Sequence, residues 1–368
     1  MPRIGYTVLS IIMGVVSTAG IILNVTVIVT TLRHRKLRQP LNYALVNLAV
    51  ADLGAALTGG LMTTVTNGMG YFSLGRIGCV IEGFAVAFFG IAALCTVAVI
   101  AVERFFVVCK PLGSIMFRTN HAVAGVAFSW VWSLIWNTPP LFGWGSYQLE
   151  GVKTSCAPNW YSRDPWNISY ILCYFLLCFA IPFSIIVISY SQLLWALRQV
   201  ARLHMSEGGT TARVEVKVAR MVIVMVLAFL LTWLPYAAFA LAVITYHDLH
   251  ISPIISTVPM YLAKSSTIFN PIIYIFMNKQ ANVLSDATLT LKWCTCLTVR
   301  YWTVGTSLHG GYLFLVTSSG ALWNFLDCSF KHSSSQIYQR VTTLAHLQGS
   351  VMAEAHQGFL GAGDGWGG

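Results

Sequence analysis

The chain has 368 residues, of which 56% are hydrophobic and only 9% are charged. A soluble domain usually carries about 25% charged residues, so this composition excludes an ordinary soluble protein and indicates a membrane protein with several spans. The net charge of +10 does not indicate nucleic-acid binding, because the basic residues concentrate in alternate connections between the apolar runs. The positive-inside rule places those connections in the cytoplasm and the amino terminus outside.

Seven apolar runs are long enough to cross a bilayer as helices. We therefore predict an all-α membrane protein, a seven-transmembrane helix bundle embedded in membrane lipid, with spans near 5–32, 41–67, 77–109, 121–142, 168–195, 214–245 and 252–277. Residues 1–280 form the predicted seven-helix domain. Residues 281–368 form an atypical cytoplasmic tail without helical periodicity, which we interpret as disordered or as the product of alternative splicing or read-through.

Polar residues inside the apolar runs are the informative exceptions, because they are costly in hydrocarbon. The first run carries Asn24, the second carries Asp52, and the seventh carries Asn270. We expect these three side chains to form a buried polar network between helices.

The third run has a carboxylate near each end. Glu82 and Glu103 are separated by roughly 31 Å along a helix, about one hydrocarbon thickness. Glu82 is therefore predicted near the outer end and Glu103-Arg104 near the inner end, with simple interfacial positions as the alternative. Glu215, at the start of the sixth run, is predicted to pair with Arg104 as a breakable latch, or to form an ordinary surface salt bridge.

The connection between the fourth and fifth runs follows Pro139-Pro140 and contains Glu150, Cys156 and Asn167. Cys79 and Cys156 are the two cysteines on the predicted outer, oxidising side, which predicts a disulfide between them. Asn167-Ile-Ser169 matches the glycosylation acceptor pattern, although such triplets also occur by chance. The cysteine spacing predicts no zinc or other metal site.

The seventh run contains a lysine, Lys264, part-way along its length. A charged lysine in hydrocarbon costs several kcal/mol, so this residue is expected to be paired, neutral or used covalently. The sixth run contains Trp233-Leu-Pro235-Tyr236, where proline is expected to kink the helix.

Together these residues resemble an opsin, a retinal-binding member of the rhodopsin-like G-protein-coupled receptors, over about residues 2–280. The receptor-wide motifs are Asn24, Asp52, Glu103-Arg104, Trp233-Leu-Pro235 and Asn270-Pro271-Ile-Ile-Tyr274, and the opsin-specific one is Lys264 with Glu82 three residues after Cys79. Residues 1–10, 137–150 and 155–160 resemble a subfamily of non-visual pigments of the pineal and parietal organs of lower vertebrates, with two other non-visual subfamilies as alternatives. The sequence departs from the family at Phe105, at Cys178 and after Gln280.

The resemblance implies that retinal, 11-cis in the dark, forms a Schiff base with Lys264. It implies a carboxylate counterion, for which we prefer Glu150 with Glu82 as a second charge. Trp233 and Tyr236 are expected to line the chromophore pocket. Glu103, Arg104, Glu215, Asn270, Pro271 and Tyr274 are expected to serve activation and coupling to a G protein.

The implied function is light sensing by a non-visual, bistable, ultraviolet-sensitive pigment in a plasma or photoreceptor membrane of pineal-type cells. The implied partners are a heterotrimeric G protein of the inhibitory or transducin class and arrestin, with no nucleic acid and no enzymatic activity. The alternatives are a retinal photoisomerase or weakly signalling opsin, an amine or peptide receptor, and an ion pump. A pump needs a chain of exchangeable carboxylates, whereas only Asp52 and Glu82 lie well inside the runs.

Overall fold

A computed structural model describes residues 1–34, 40–109, 119–203, 210–246 and 251–277. Its helices, in chain order, are α1 (Arg3–Arg33), α2 (Pro40–Ala55), α3 (Leu61–Met69), α4 (Gly75–Cys109), α5 (Thr119–Asn137), α6 (Pro165–Tyr174), α7 (Ile181–Leu203), α8 (Thr210–Thr245) and α9 (Pro253–Met277). Two short strands, β1 (Tyr147–Glu150) and β2 (Ser155–Pro158), lie between α5 and α6.

The described helices form seven spans, because π-helical turns make two pairs of helices continuous. Residues Ala56–Gly60 join α2 to α3, and residues Phe175–Ala180 join α6 to α7. Five of the described spans are long and apolar enough to cross a membrane by length and composition. The other two are α5 and α9, and α9 carries a lysine, an asparagine and several hydroxyl side chains.

Local sequence explains where several of these helices begin and end. The predicted fourth span extended to residue 142, but α5 ends at Asn137, and a short 3₁₀ turn follows over Pro139–Leu141. Pro139 and Pro140 have no backbone N–H with which to continue the helical hydrogen bonds, so the prediction was too long here. At the start of α6, Asp164 accepts a hydrogen bond from the Asn167 N–H, which caps the helix.

The apolar core lies around α4, which packs against α2, α5 and α7. Small residues such as Ala92 and Ala98 let neighbouring helices approach α4 closely. Larger buried side chains from α2, α7 and α8, among them Leu48, Ile186 and Phe229, complete this core. A second cluster around Tyr170 and Tyr174 packs near the strands.

The two strands form an antiparallel β-hairpin in which Tyr147 pairs with Pro158 and Glu150 pairs with Ser155. Gly151 follows β1 with φ 58°, and a Cβ atom there would lie 2.6 Å from Thr257 Oγ1 of α9. Glycine therefore allows the turn to lie directly on α9. We call the end of the bundle that carries this β-hairpin the hairpin end.

The predicted tail, residues 281–368, lies outside the described residues, and the division at residue 280 stays a prediction. The orientation of the amino terminus also stays a prediction.

Candidate functional site

Lys264 lies on α9 where this helix passes the β-hairpin. Its Nζ atom lies 3.1 Å from Glu82 Oε1, 2.6 Å from Thr63 Oγ1 and 2.6 Å from Ser155 Oγ. The side chains of Lys264 and Glu82 are 7% and 0% exposed, respectively. The amine has therefore exchanged water for one carboxylate and two hydroxyl groups, and pairing is one of the three arrangements expected of a lysine in an apolar run.

Glu82 on α4 accepts hydrogen bonds on both carboxylate oxygens. Thr63 Oγ1 and Ser155 Oγ each donate to Oε1 over 2.9 Å, and the Cys156 N–H donates to Oε2 over 3.2 Å. These three groups and the Lys264 amine all donate hydrogen bonds to Glu82. Such a set of donors stabilises an ionised carboxylate.

The predicted disulfide between Cys79 and Cys156 is present, with the two Cα atoms 5.3 Å apart. Cys79 lies one helical turn before Glu82 on α4, and Cys156 follows Ser155 on β2. The disulfide thus fixes β2 against the turn of α4 that carries the glutamate. This attachment brings Ser155 and the Cys156 N–H to the carboxylate.

Glu150, the other predicted counterion, is buried at the end of β1 and bonds to a different residue. Tyr236 OH donates to Glu150 Oε2 over 2.8 Å, and Trp160 Nε1 donates to Tyr236 OH over 3.0 Å. Burial raises the pKa of Glu150 to about 7, while Lys264 and the tyrosine hydroxyl act in the opposite direction. Lys264 is therefore within electrostatic range of Glu150, whereas its hydrogen-bonded carboxylate is Glu82.

An apolar cavity extends from Lys264 into the bundle, and Trp233 and Tyr236 are among the residues that line it. Trp233 Nε1 donates to Ser266 Oγ over 3.1 Å. Gly90 of α4 allows the indole to approach, because a Cβ atom there would lie 2.8 Å from the Trp233 ring. Chemically, the cavity suits an apolar ligand with a carbonyl group that meets the amine of Lys264.

The polar residues predicted to form one network make two separate links to α9. Asn24 Nδ2 donates to the carbonyl oxygens of Gly20 and Thr267, each over 2.8 Å. Asn270 Nδ2 donates to Asp52 Oδ2 over 3.0 Å. The first link joins α1 to α9 and the second joins α2 to α9, so both fix the helix that carries the lysine.

Glu103 and Arg104 lie at the opposite end of α4 as a buried pair, with Arg104 Nε 2.7 Å from Glu103 Oε2. Their side chains are 6% and 7% exposed, respectively, and their depth in the membrane stays a prediction. The side chain of Glu215 lies outside the described residues, and the Arg104–Glu215 latch stays a prediction. On α9, Pro271 and Tyr274 are both buried.

Asn167, the predicted glycosylation acceptor, lies in the first turn of α6 and is 5% exposed. Its Nδ2 atom donates to the Asn159 carbonyl oxygen over 2.8 Å. A glycan on this buried nitrogen would have to displace the residues packed around it, so the geometry weighs against this site.

Thr63 and Ser155 contact the lysine but were not predicted from the sequence. Hydroxyl residues in membrane helices commonly bond to a carbonyl of their own helix, as Thr58 does with Gly54, so Thr63 carries no distinctive signal. Ser155 precedes a cysteine of the predicted disulfide, and that position could have identified it as a residue near the lysine.

Comparison with known proteins agrees with this geometry. The family described as 7 transmembrane receptor (rhodopsin family) matches residues 23–274. The chain is 73% identical over 280 residues to parapinopsin of Ictalurus punctatus, covering 76% of this chain and 81% of that protein. It is 49% identical over 279 residues to pinopsin of Columba livia, covering 76% and 80%. Among solved structures, squid rhodopsin matches with a TM-score of 0.72 and 30% identity, covering 80% of this chain and 87% of that one.

Proposed function

Since the chain belongs to the opsins within the rhodopsin family of seven-transmembrane receptors, we propose that it is a light-sensing receptor that carries retinal on Lys264. The resemblance to opsins, and among them to parapinopsin, is confirmed. The family consists of receptors rather than enzymes, and the chain is an integral membrane protein.

The observation that carries the proposal is the buried Lys264 amine at one end of an apolar cavity. Retinal is a long apolar aldehyde that supplies light absorption and a light-driven change of shape. Lys264 fits it as the attachment amine, and Trp233 and Tyr236 fit it as aromatic walls. Thr63 and Ser155 hold the nitrogen in place through the hydrogen bonds described above.

Two carboxylates serve as charges for the attachment nitrogen, and we place Glu82 first. The sequence favoured Glu150, but the support from contacts is for the reverse order. Glu82 bonds directly to Lys264 Nζ, and its other neighbours also donate to it. Glu150 bonds to Tyr236, and a raised pKa near 7 leaves it partly protonated at neutral pH. Glu150 then acts as a second, weaker charge.

Signalling passes from the cavity to the opposite end of the bundle through α8 and α9. Trp233 lies two residues before Pro235. The helix lacks a backbone hydrogen bond at this proline and can bend there. The links from Asn24 and Asp52 fix α9 beside it. A swing of α8 opens the cytoplasmic end, where Arg104 leaves Glu103 and, with Tyr274, contacts a G protein.

Within the opsins we propose a non-visual, bistable pigment sensitive to ultraviolet light. We place it in the plasma or photoreceptor membrane of pineal-type cells, with an inhibitory or transducin-class G protein and arrestin as partners. Support for this finer assignment comes from the 73% identity to parapinopsin.

The proposal is tested by reconstituting the full chain with 11-cis retinal. We expect an absorption band that changes on illumination and is absent in Lys264→Ala. Lys217→Ala, which removes an exposed lysine of α8, is the matched control and should keep the band. A folded wild-type protein without a band, or a Lys264→Ala variant that retains one, would contradict the proposal.

A retinal photoisomerase or weakly signalling opsin would pass that first test. Illuminated samples should therefore also be assayed for nucleotide exchange on an inhibitory-class G protein. Light-dependent exchange that is lost in Arg104→Ala supports the receptor, whereas a photoreversible band without exchange supports the photoisomerase.

A further inference from the structure

Three residues on one face of α9 form hydrogen bonds to other segments. They follow one another along the helix from the hairpin end to Lys264. Thr257, Tyr261 and Lys264 are spaced four and three residues apart, so they face the same side of the helix. Thr257 Oγ1 accepts from the Val152 N–H over 3.1 Å, and Tyr261 OH accepts from Asn67 Nδ2. Lys264 bonds one turn further on, and Thr63 of α3 is among its partners.

The middle contact belongs to a polar cluster made by the buried residues Asn67 and Thr154 and the half-buried Tyr261. Thr154 Oγ1 donates to Asn67 Oδ1 over 2.7 Å, while Thr66 Oγ1 donates to the Thr154 carbonyl oxygen. Thr66, Asn67 and Thr154 are all 0% exposed. Asn67 thus uses its amide nitrogen toward α9 and its amide oxygen toward the turn of the β-hairpin, so one side chain joins three segments.

The position of this cluster connects it to the charged pair. Asn67 lies one helical turn after Thr63, Tyr261 lies one turn before Lys264, and Thr154 precedes Ser155. Thr63 and Ser155 both bond to the lysine and to Glu82. Each of the three cluster residues is therefore the near neighbour of a residue in the lysine site.

We propose that Asn67, Thr154 and Tyr261 form a clamp that positions α3, the β-hairpin and α9 so that Lys264 meets Glu82. The inference deepens the proposed function, since the positioned amine is the one proposed to carry retinal. The three are positioning residues, because the hydrogen bonds to the amine and to the carboxylate come from other residues.

The test uses the amine itself and needs no retinal. The full-length protein is treated with formaldehyde and a borane reductant, and methylation of Lys264, Lys153 and Lys217 is followed by mass spectrometry over a range of pH. The neutral amine that has left its hydrogen-bond and ion-pair partners is the reactive form, so the methylation rate of each lysine reports how firmly its amine is held. Lys153 and Lys217 are exposed and serve as internal references.

In Tyr261→Phe we expect about tenfold faster methylation of Lys264 near neutral pH, because the lysine loses part of its contact with Glu82. The reference lysines should not change, and Tyr246→Phe, at an exposed tyrosine, should behave as wild type. The double variant Asn67→Ala with Tyr261→Phe should add little to Asn67→Ala alone, since that single variant already lacks the bond to Tyr261.

An unchanged Lys264 profile in Tyr261→Phe would overturn the clamp, and so would an equal acceleration of all three lysines, which indicates general loosening. Should Tyr261→Phe fail to fold, Thr154→Val, which removes the hydroxyl on the hairpin side, decides by the same criteria. A wild-type protein that forms no band with retinal would end the proposed function but leave this measurement valid.

Discussion

Replacement of Glu82 by glutamine is the sharpest perturbation of the lysine site, because it removes the charge and keeps the shape. Glu82 is 0% exposed and lies 3.1 Å from Lys264 Nζ. Breaking a buried ion pair by removing one partner typically costs about 3–5 kcal/mol. One pH unit corresponds to about 1.4 kcal/mol, so the loss amounts to about 2–4 pH units in the protonation of the attached nitrogen.

The assay is a pH titration of the visible-absorbing form of the retinal-loaded protein, in the dark or after illumination. An anion beside the nitrogen favours its protonated form, so removing Glu82 should lower the titration midpoint by the stated amount. Glu150→Gln is the matched control, and we expect a smaller fall there because Tyr236 is the hydrogen-bond partner of Glu150. A larger fall in Glu150→Gln than in Glu82→Gln would refute the assignment and restore Glu150 as the main counterion.

Three further outcomes follow from contacts at the hairpin end. Burial raises the pKa of Glu150 from 4.5 to about 7, so the folded chain retains a proton that the unfolded chain has released. The free energy of unfolding should therefore fall by on the order of 3 kcal/mol between those pH values, and thermal unfolding of Glu150→Gln should lack this fall. Cys156→Ser opens a disulfide between residues 77 apart and should cost about 4 kcal/mol, measured as lost thermal stability against Cys95→Ser. Asn167 should carry no glycan, because its side chain is buried, and a glycosidase-dependent mobility shift that is lost in Asn167→Gln would contradict this.

Much of the fold could be predicted because each span is marked by its own apolar run. The ends of the third and seventh spans agree within two residues with α4 and α9. The π-helical turn over Phe175–Ala180 was not predicted. A π turn inserts one extra residue without a change of composition, so tertiary packing rather than local sequence selects it.

The candidate site was predictable in its charges but not in their pairing. Lys264, Glu82 and Glu150 are exceptional residues in apolar or cysteine-linked segments, and sequence alone identifies them. Which carboxylate meets the lysine depends on how the β-hairpin folds over α4 and α9. Asn67 is uncharged and lies near a helix end, where asparagine is common, so its contact with Tyr261 left no mark in the sequence.

The Cys79–Cys156 bond has a consequence for biosynthesis. Cys156 is cross-linked through its sulfur, and its own backbone N–H donates to Glu82. The same residue therefore forms the disulfide bond and donates a hydrogen bond to the buried carboxylate of Glu82. A receptor folded under reducing conditions would acquire its seven helices from their apolar runs, yet lack the covalent tie that holds this donor at the carboxylate. Formation of this disulfide in an oxidising compartment therefore influences how well the Glu82 carboxylate is stabilised beside Lys264.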